Sequence, residues 1–492
     1  MEWFRIFSRI LLQSIMAKST WSLPDRPSTQ VSWLHRRPAA RQYDLLSRVY
    51  VAALSGILLV SLCSVSNLRE FPFSYLLLTL NGALAAYGQH CALRANSAMH
   101  LASFLFSYLF MSVIPIQQFG EGLDPVFYVS NVAVLACVSA LIFTTCGILS
   151  LVNWRAASPA TPDASAEPVW EFHNYLFLSV PVVVTAALSV ALFGRSLFTS
   201  REGFGFALAT VFSDPATAGA VSNFLLQVPF FGAVMGLRAA MTTRHRGWTW
   251  FYASLALCAV AINNPLDTAR FKLAGLAFFF IEYFFRGRKL KLLIVAMVLG
   301  FSLAPLFHIF RYENSASNET AYGSKYLSTD FDAFQMACYT LIAVDQAGVS
   351  YGSNIAGAIL FFVPRSLWPN KPEPTPFEIF YTAQQFRPQG TNNLSDALFT
   401  EGYFAFSWFG VILISGLYWW SLTAVQRRSL RDANSLWFLT RSILVGLVLI
   451  ILRGPLITAT TNIVANLTAA VLPWCAMRMF RPARAAAGSG RA

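Results

Sequence analysis

Ile359 to Pro374 reads "ILFFVPRSLWPNKPEP", with four prolines, Trp368, Arg365 and Lys371 set against a run as apolar as a membrane helix. Proline fixes φ and removes a donor, so this backbone is stiff and holds its side chains at defined points. Arg and Lys held in that way suit a phosphate, the first through a bidentate fork and the second as a point charge. The competing reading is an anchor, with the tryptophan and the cations at lipid headgroups. A second cluster, "NNPLDTARFK", puts Arg270 and Lys272 at the start of an apolar segment, where a cation is costly and normally has a partner or a substrate. Snorkelling to the interface is its alternative. In "FHIFRYEN", His308 and Arg311 are three residues apart and share a helix face, and an imidazole there titrates near neutrality, as a general base requires. Asp396 and Glu401 in "SDALFTEGYFAFSWFG" precede another span, where a carboxylate can take a proton from a sugar hydroxyl or neutralise an arginine. Asp330 and Asp332 form a DxD, the pattern that holds a divalent ion on a nucleotide sugar. Nucleotide sugars are not available outside the cytoplasm, so no metal and no cofactor are expected.

These groups must be positioned by a membrane bundle. Of 492 residues, 56% are hydrophobic and 12% charged, half the charge of an ordinary soluble domain. The net charge of +13 sits in short loops between apolar segments, which is membrane topology and excludes nucleic acid as a partner. The seven cysteines show no CxxC and no metal-ligand spacing. P-loop, HExxH, GxSxG and GxGxxG patterns are missing, which argues against ATP-driven transport and the corresponding hydrolases.

Runs of the length a spanning helix needs predict twelve spans, near 48–66, 74–93, 98–116, 127–151, 174–194, 220–240, 248–262, 271–285, 290–310, 403–424, 435–452 and 460–478. Basic loops ("RAAMTTRHRG", "RGRKLK", "QRRSLRD", "RMFRPAR") alternate with neutral or acidic ones, which sets both termini in the cytoplasm. The expected organisation is an N-terminal cytoplasmic segment 1–47 with an amphipathic stretch, nine spans over 48–310, a large outward loop 311–402, three spans over 403–478 and a cytoplasmic tail 479–492. The loop holds five basic and nine acidic residues and is too aromatic to be disordered. Its run "IAGAILFFV" is too short to span and suits a re-entrant or interfacial segment. The expected fold class is thus an all-α integral membrane protein with about twelve transmembrane helices and one large extracytoplasmic loop.

"FVPRSLWPNKPEP", followed about thirty residues later by "TEGYFAFSWFG", resembles the Wzy-type oligosaccharide repeat-unit polymerases of O-antigen and exopolysaccharide synthesis. Those carry a "PR…P.KP" motif in a large outward loop and then a "GE.Y.NFG"-like helix start. "DTARFKLAGL" and "FRYENSAS…DFDAF" fall where that family has an arginine at a span start and a "Y…D.F" segment. The likeness covers Asn263 to Gly410. It departs at "TEGYFAFSWFG", where Glu-Gly replaces Gly-Glu and Phe406-Ser407 stands where Asn-Phe is common.

The resemblance implies a GT-C-like, metal-independent glycosyltransferase of the bacterial inner membrane. Its substrate would be an undecaprenyl-pyrophosphate-linked oligosaccharide, and its further candidate partners a Wzz-like chain-length regulator and a Wzx-like flippase. Arg270, Arg311 and Arg365 would clamp the pyrophosphate, assisted by Lys371 and Arg387. His308, Glu401 and Asp396, in that order, are the candidate bases. Trp368, Tyr403 and Trp408 would stack on sugars. A glycan ligase would use the same architecture with a different acceptor. A lipid-linked-oligosaccharide flippase would instead spread its polar residues over a cavity lined by several spans.

Overall fold

The computed structural model describes residues 37–65, 67–95, 97–120, 131–154, 172–198, 201–212, 215–264, 270–284, 331–383, 395–431 and 436–479. Every regular element among them is helical. In chain order these are α1 (Arg37–Cys63), α2 (Pro72–Arg94), α3 (Ala98–Tyr108), α4 (Ile114–Gly120), α5 (Val132–Trp154), α6 (Phe172–Phe193), α7 (Arg201–Val211), α8 (Pro215–Thr242) and α9 (Arg246–Ile262). They continue as α10 (Arg270–Phe284), α11 (Ala333–Ala347), α12 (Ser353–Ile359), α13 (Thr375–Ala383), α14 (Leu398–Arg431), α15 (Leu436–Arg453) and α16 (Leu456–Met479). The chain divides into two compact units, Met1–Val49 and Tyr50–Ala492. Only residues 37–49 of the first are described, and they are helical.

Among the described residues, six helices are long and apolar enough to cross a membrane: Ala98–Gly120, Phe172–Phe198, Ala218–Thr242, Leu398–Ser429, Leu436–Arg453 and Leu456–Met477. The expected span at 290–310 lies outside the described residues; each of the others falls on a helix. The lipid-facing surface is legible in α6, where Phe172, Leu176, Val180, Val184, Leu188 and Leu192 stand exposed at every fourth position. A continuous apolar stripe at that spacing is one side of a helix, and with no helix among the described residues against it, it suits lipid.

Where helices touch, small residues let their backbones approach. α10 and α15 cross at Gly275 and Gly446, and a Cβ placed on Gly275 would lie 2.6 Å from the Gly446 carbonyl oxygen. One turn or two further toward the other end of that pair, Arg441 Nη2 meets Glu282 Oε1 at 2.7 Å, both side chains buried. The two devices lock α10 to α15 at two levels. Between α3 and α4 a π-turn, Leu109–Val113, interrupts the α-helical ladder, and Asn81 on α2 donates to the Met111 carbonyl at 3.2 Å. A polar side chain from a neighbouring helix thus satisfies a carbonyl at the irregularity.

The described parts of the segment expected as an outward loop, 331–383 and 395–402, pack against the long helices. α11 packs against α5, α13 and α14, and α12 packs against α16 and α14. The α11 side chains from Ala333 through Leu341 are buried. The run "IAGAILFFV" forms the short α12 followed by tight turns, with Ile359 and Phe362 exposed. α14 starts at Leu398, five residues before the expected span start at 403, and is not one rod. Phe406 (φ −146°, ψ 27°) and Ser407 (φ 55°, ψ −144°) break it. Gly402 and Gly410 would stand about 12 Å apart along a straight helix, yet a Cβ on Gly402 would lie 2.5 Å from the Gly410 carbonyl oxygen. The chain therefore doubles back sharply between them.

The crossings give a direct expectation. Gly446→Leu forces α10 and α15 apart and should cost at least the 1–3 kcal/mol usual for overpacking, read as a lower unfolding midpoint in detergent. Gly416→Leu, on an α14 face with open space around it, should leave the midpoint where it is.

Candidate functional site

The loop motif and the start of α14 converge on one buried polar cluster. At its centre is Glu401, 1% exposed. Glu401 Oε2 accepts from Asn354 Nδ2 and from Thr375 Oγ1, both at 2.7 Å, and Oε1 accepts from the Leu456 backbone N–H at 2.6 Å. These donors come from α12, α13 and the first residue of α16. A carboxylate at a helix N-terminus satisfies an orphan N–H and is favoured by the helix dipole. Asn354 Nδ2 also reaches the Glu401 carbonyl at 3.1 Å.

Beside it, Asp332, fully buried at the start of α11, takes Arg453 Nη2 at 3.1 Å on one oxygen and the Ser395 N–H at 2.9 Å on the other. The Asp396 N–H donates to the Arg453 carbonyl at 2.8 Å. The last residue of α15 is thereby tied to both α11 and the chain entering α14. Thr400 Oγ1 donates to Asp396 Oδ1, while Asp396 Oδ2 is buried with no hydrogen-bond donor on it. Burial, and then the neighbouring Glu401 charge, raise the Asp396 pKa well above the usual carboxylate range. Burial also raises Asp332, with the Arg453 guanidinium opposing.

The proline-rich motif is built around Lys371. Its ammonium is buried and donates to the carbonyls of Phe361 at 2.5 Å and Val363 at 3.0 Å, just past the C-terminus of α12. A cation there meets the negative end of the helix. Pro372 closes on Gly357, where an added Cβ would come within 3.3 Å of the ring. Arg365 points the other way: it is half exposed, donates to the Lys371 carbonyl at 3.2 Å, and stands 3.8 Å from Glu373. Of the two cations in the motif, Lys371 shapes the turn and Arg365 is presented by it. Trp368 is partly buried in the same turn. Tyr403 and Trp408 flank the break in α14 with ring centroids 6.4 Å apart, Trp408 exposed.

Arg270 is the first residue of α10. His308, Arg311 and Arg387 lie outside the described residues. The structure thus brings Asp396 and Glu401 together, sets Lys371 into the loop's own frame and leaves Arg365 at the surface. Asp332, sought above as half of a metal-binding pair, has both oxygens engaged by Arg453 and Ser395. Arg453, Asn354 and Thr375 were not found from sequence. Arg453 did carry a signal: a cation closing an apolar run is costly in a bilayer and normally has a partner. No protein-family model, curated protein or solved structure matches this chain.

The raised Asp396 carboxyl has a pH consequence. A carboxyl whose native pKa is raised stabilises the fold while protonated and loses that contribution as pH climbs through the raised value. The unfolding midpoint of the wild type should fall over the range above the ordinary carboxylate values, and Asp396→Asn, which cannot ionise, should flatten that fall. Glu401→Gln strips the charge that faces Asn354, Thr375 and Leu456. It should lower the midpoint throughout that range, by about 1.5–3 kcal/mol for a charged hydrogen-bond acceptor.

Proposed function

We propose that this protein polymerises glycan repeat units carried on undecaprenyl pyrophosphate, at the outward face of the bacterial inner membrane, through twelve spans with both termini cytoplasmic. The growing chain is the donor. A hydroxyl of a new lipid-linked unit attacks C1 of its reducing-end sugar, the C1–O bond to the pyrophosphate breaks, and the electron pair leaves with the undecaprenyl pyrophosphate. The hydroxyl proton goes to a base. His308 is the group assigned here, because Glu401 and Asp396 are enclosed and Glu401 is committed to the helix ends.

The observation that carries this reading is the presentation of Arg365. Its turn is stiffened by four prolines and pinned from within by Lys371, so the guanidinium is held at the outward edge of the bundle before any ligand arrives. Charge developing on a leaving pyrophosphate is best met by such preorganised cations, which need no reorganisation during the reaction. Arg270, at the head of α10, supplies a second cation at a span start. Arg311 and Arg387 complete the set that the family resemblance suggests. Trp368, Tyr403 and Trp408 offer aromatic faces to sugar rings. The loop packs onto the ends of α14, α15 and α16 as a rigid part of the bundle, which suits an enzyme more than a transporter whose two halves must rock.

In cells producing normal protein levels, Arg365→Ala should collapse the glycan ladder on a gel to single repeats, a loss on the order of 10²–10³-fold in rate. Arg365→Lys should not restore it, because a point charge lacks the fork. An unchanged ladder would remove Arg365 from the site. Accumulation of full-length polymer on undecaprenyl carrier would point to a ligase instead.

A further inference from the structure

The turns that follow α12 carry an apolar surface that the bundle does not use. Ile359, Leu360, Phe362 and Leu367 all stand exposed within nine residues, Phe362 at 68% and Leu367 at 78%. The other side of the same segment faces inward. Asn354 reaches Glu401, Gly357 meets the Pro372 ring, and Lys371 is buried on the Phe361 and Val363 carbonyls. Large apolar side chains grouped on stiff backbone in this way mark an interaction surface.

Three observations point to lipid as its partner. The first is continuity with a membrane-facing side. α14, long and apolar enough to span, exposes Phe409, Leu413, Leu417 and Trp420, a spacing that puts them on one helix face. That stripe begins just past the break at Phe406-Ser407, and the chain entering α12 rests on the break. The Ser350 N–H donates to the Phe404 carbonyl at 2.8 Å, and a Cβ on Gly352 would lie 2.6 Å from the Phe406 ring. α12 is seven residues, about 10 Å long, and the turns after it fold back onto it, so the patch lies at the head of the stripe. The second is the backbone, which at membrane depth must be satisfied where it is not helical. Val363 donates to the Leu360 carbonyl, Leu367 and Trp368 to that of Pro364, and Lys371 to that of Trp368. The Lys371 and Arg365 side chains take the carbonyls of Phe361, Val363 and Lys371. A turn facing water has no need of such closure. The third is the rim, where Trp368 and the half-exposed Arg365 are residue types that settle at headgroups.

We infer that the turns after α12 insert Phe362 and Leu367, with Ile359 and Leu360 beside them, into the phospholipid leaflet at this end of the bundle, and so hold Arg365 at headgroup depth. The partner of this surface is the bilayer itself. The inference goes beyond the polymerase reading, which needs a presented Arg365 but no contact between this loop and phospholipid.

The test uses the full-length protein in vesicles of phosphatidylethanolamine and phosphatidylglycerol, doped with a phospholipid bearing a diazirine midway along one acyl chain. After illumination the adducts are mapped by peptide, and those on residues 409–420 of α14 serve as the internal standard. Residues 359–367 should carry adducts at a yield comparable with that standard. Phe362→Glu combined with Leu367→Glu should lower the loop adducts about tenfold or more, the ratio expected for moving one large apolar side chain out of lipid, and leave the α14 adducts unchanged. Adducts on α14 with none on 359–367 would overturn the inference, and so would loop adducts that survive the double substitution. Should the double variant misfold, seen as a changed α14 pattern, Leu367→Glu alone takes its place with the same two outcomes. No glycan is present in these vesicles, so failure here leaves the polymerase reading to the Arg365→Ala ladder.

Discussion

The packing of α12 and α13 against the start of α16 depends on one buried carboxylate. Glu401 gathers Asn354 from α12, Thr375 from α13 and the first N–H of α16 onto two oxygens. A carboxylate stripped of water is very unfavourable unless every lone-pair direction finds a donor, and here the donors belong to three separate pieces of chain. They can meet only if the loop lies down on the helix ends. The Asp332–Arg453 pair and the Asp396 N–H to Arg453 carbonyl bond repeat the device a few residues away, joining α11 and the start of α14 to the end of α15. The result is a brace of charge and hydrogen bonds beside the hydrophobic core that Phe334, Met336, Tyr339 and Ile379 share with the rest of the bundle. Its geometric demand is strict: the chain must reverse at Phe406-Ser407, and only glycines at 402 and 410 let the two limbs touch.

That brace explains a division of labour among the polar residues. Groups with many fixed partners, Glu401, Asp396, Asp332 and Lys371, build the outward surface. Arg365, with a single backbone acceptor and a distant carboxylate, is displayed on it. Preorganisation of this kind favours an anion whose charge appears during a reaction. Elsewhere in the bundle, α10 and α15 are locked at Gly275–Gly446 and at Glu282–Arg441.

Much of the helical frame was legible in the sequence, because length and hydropathy alone decide which segments suit a bilayer. The helices at 72–94, 172–193 and 436–453 lie within a few residues of where the apolar runs put them. The break in α14 was not legible: "YFAFSWFGV" is as apolar and aromatic as its flanks, and nothing local in Phe-Ser demands a positive φ. Gly402 and Gly410 stood out as small residues, but that they touch each other is a tertiary fact. α11 lies within the expected outward loop with re-entrant or interfacial helices, and its burial depends on partners far away in sequence that no local pattern reveals. In the proline-rich motif the sequence placed two cations six residues apart on stiff backbone. It could not say that one turns inward to carbonyls and the other outward, since both share the same local chemistry.

The central claim, that a preorganised outward cation set on a braced loop transfers glycan from a polyprenyl pyrophosphate, is tested most directly by reconstitution. The purified protein in liposomes would be given a synthetic undecaprenyl-pyrophosphate-linked oligosaccharide with no other protein and no nucleotide, and the products resolved by length. The account predicts a ladder of multiples of the repeat, with one undecaprenyl pyrophosphate released per bond formed. Lipid-linked substrate that stays a single repeat, or moves across the bilayer without lengthening, would contradict it.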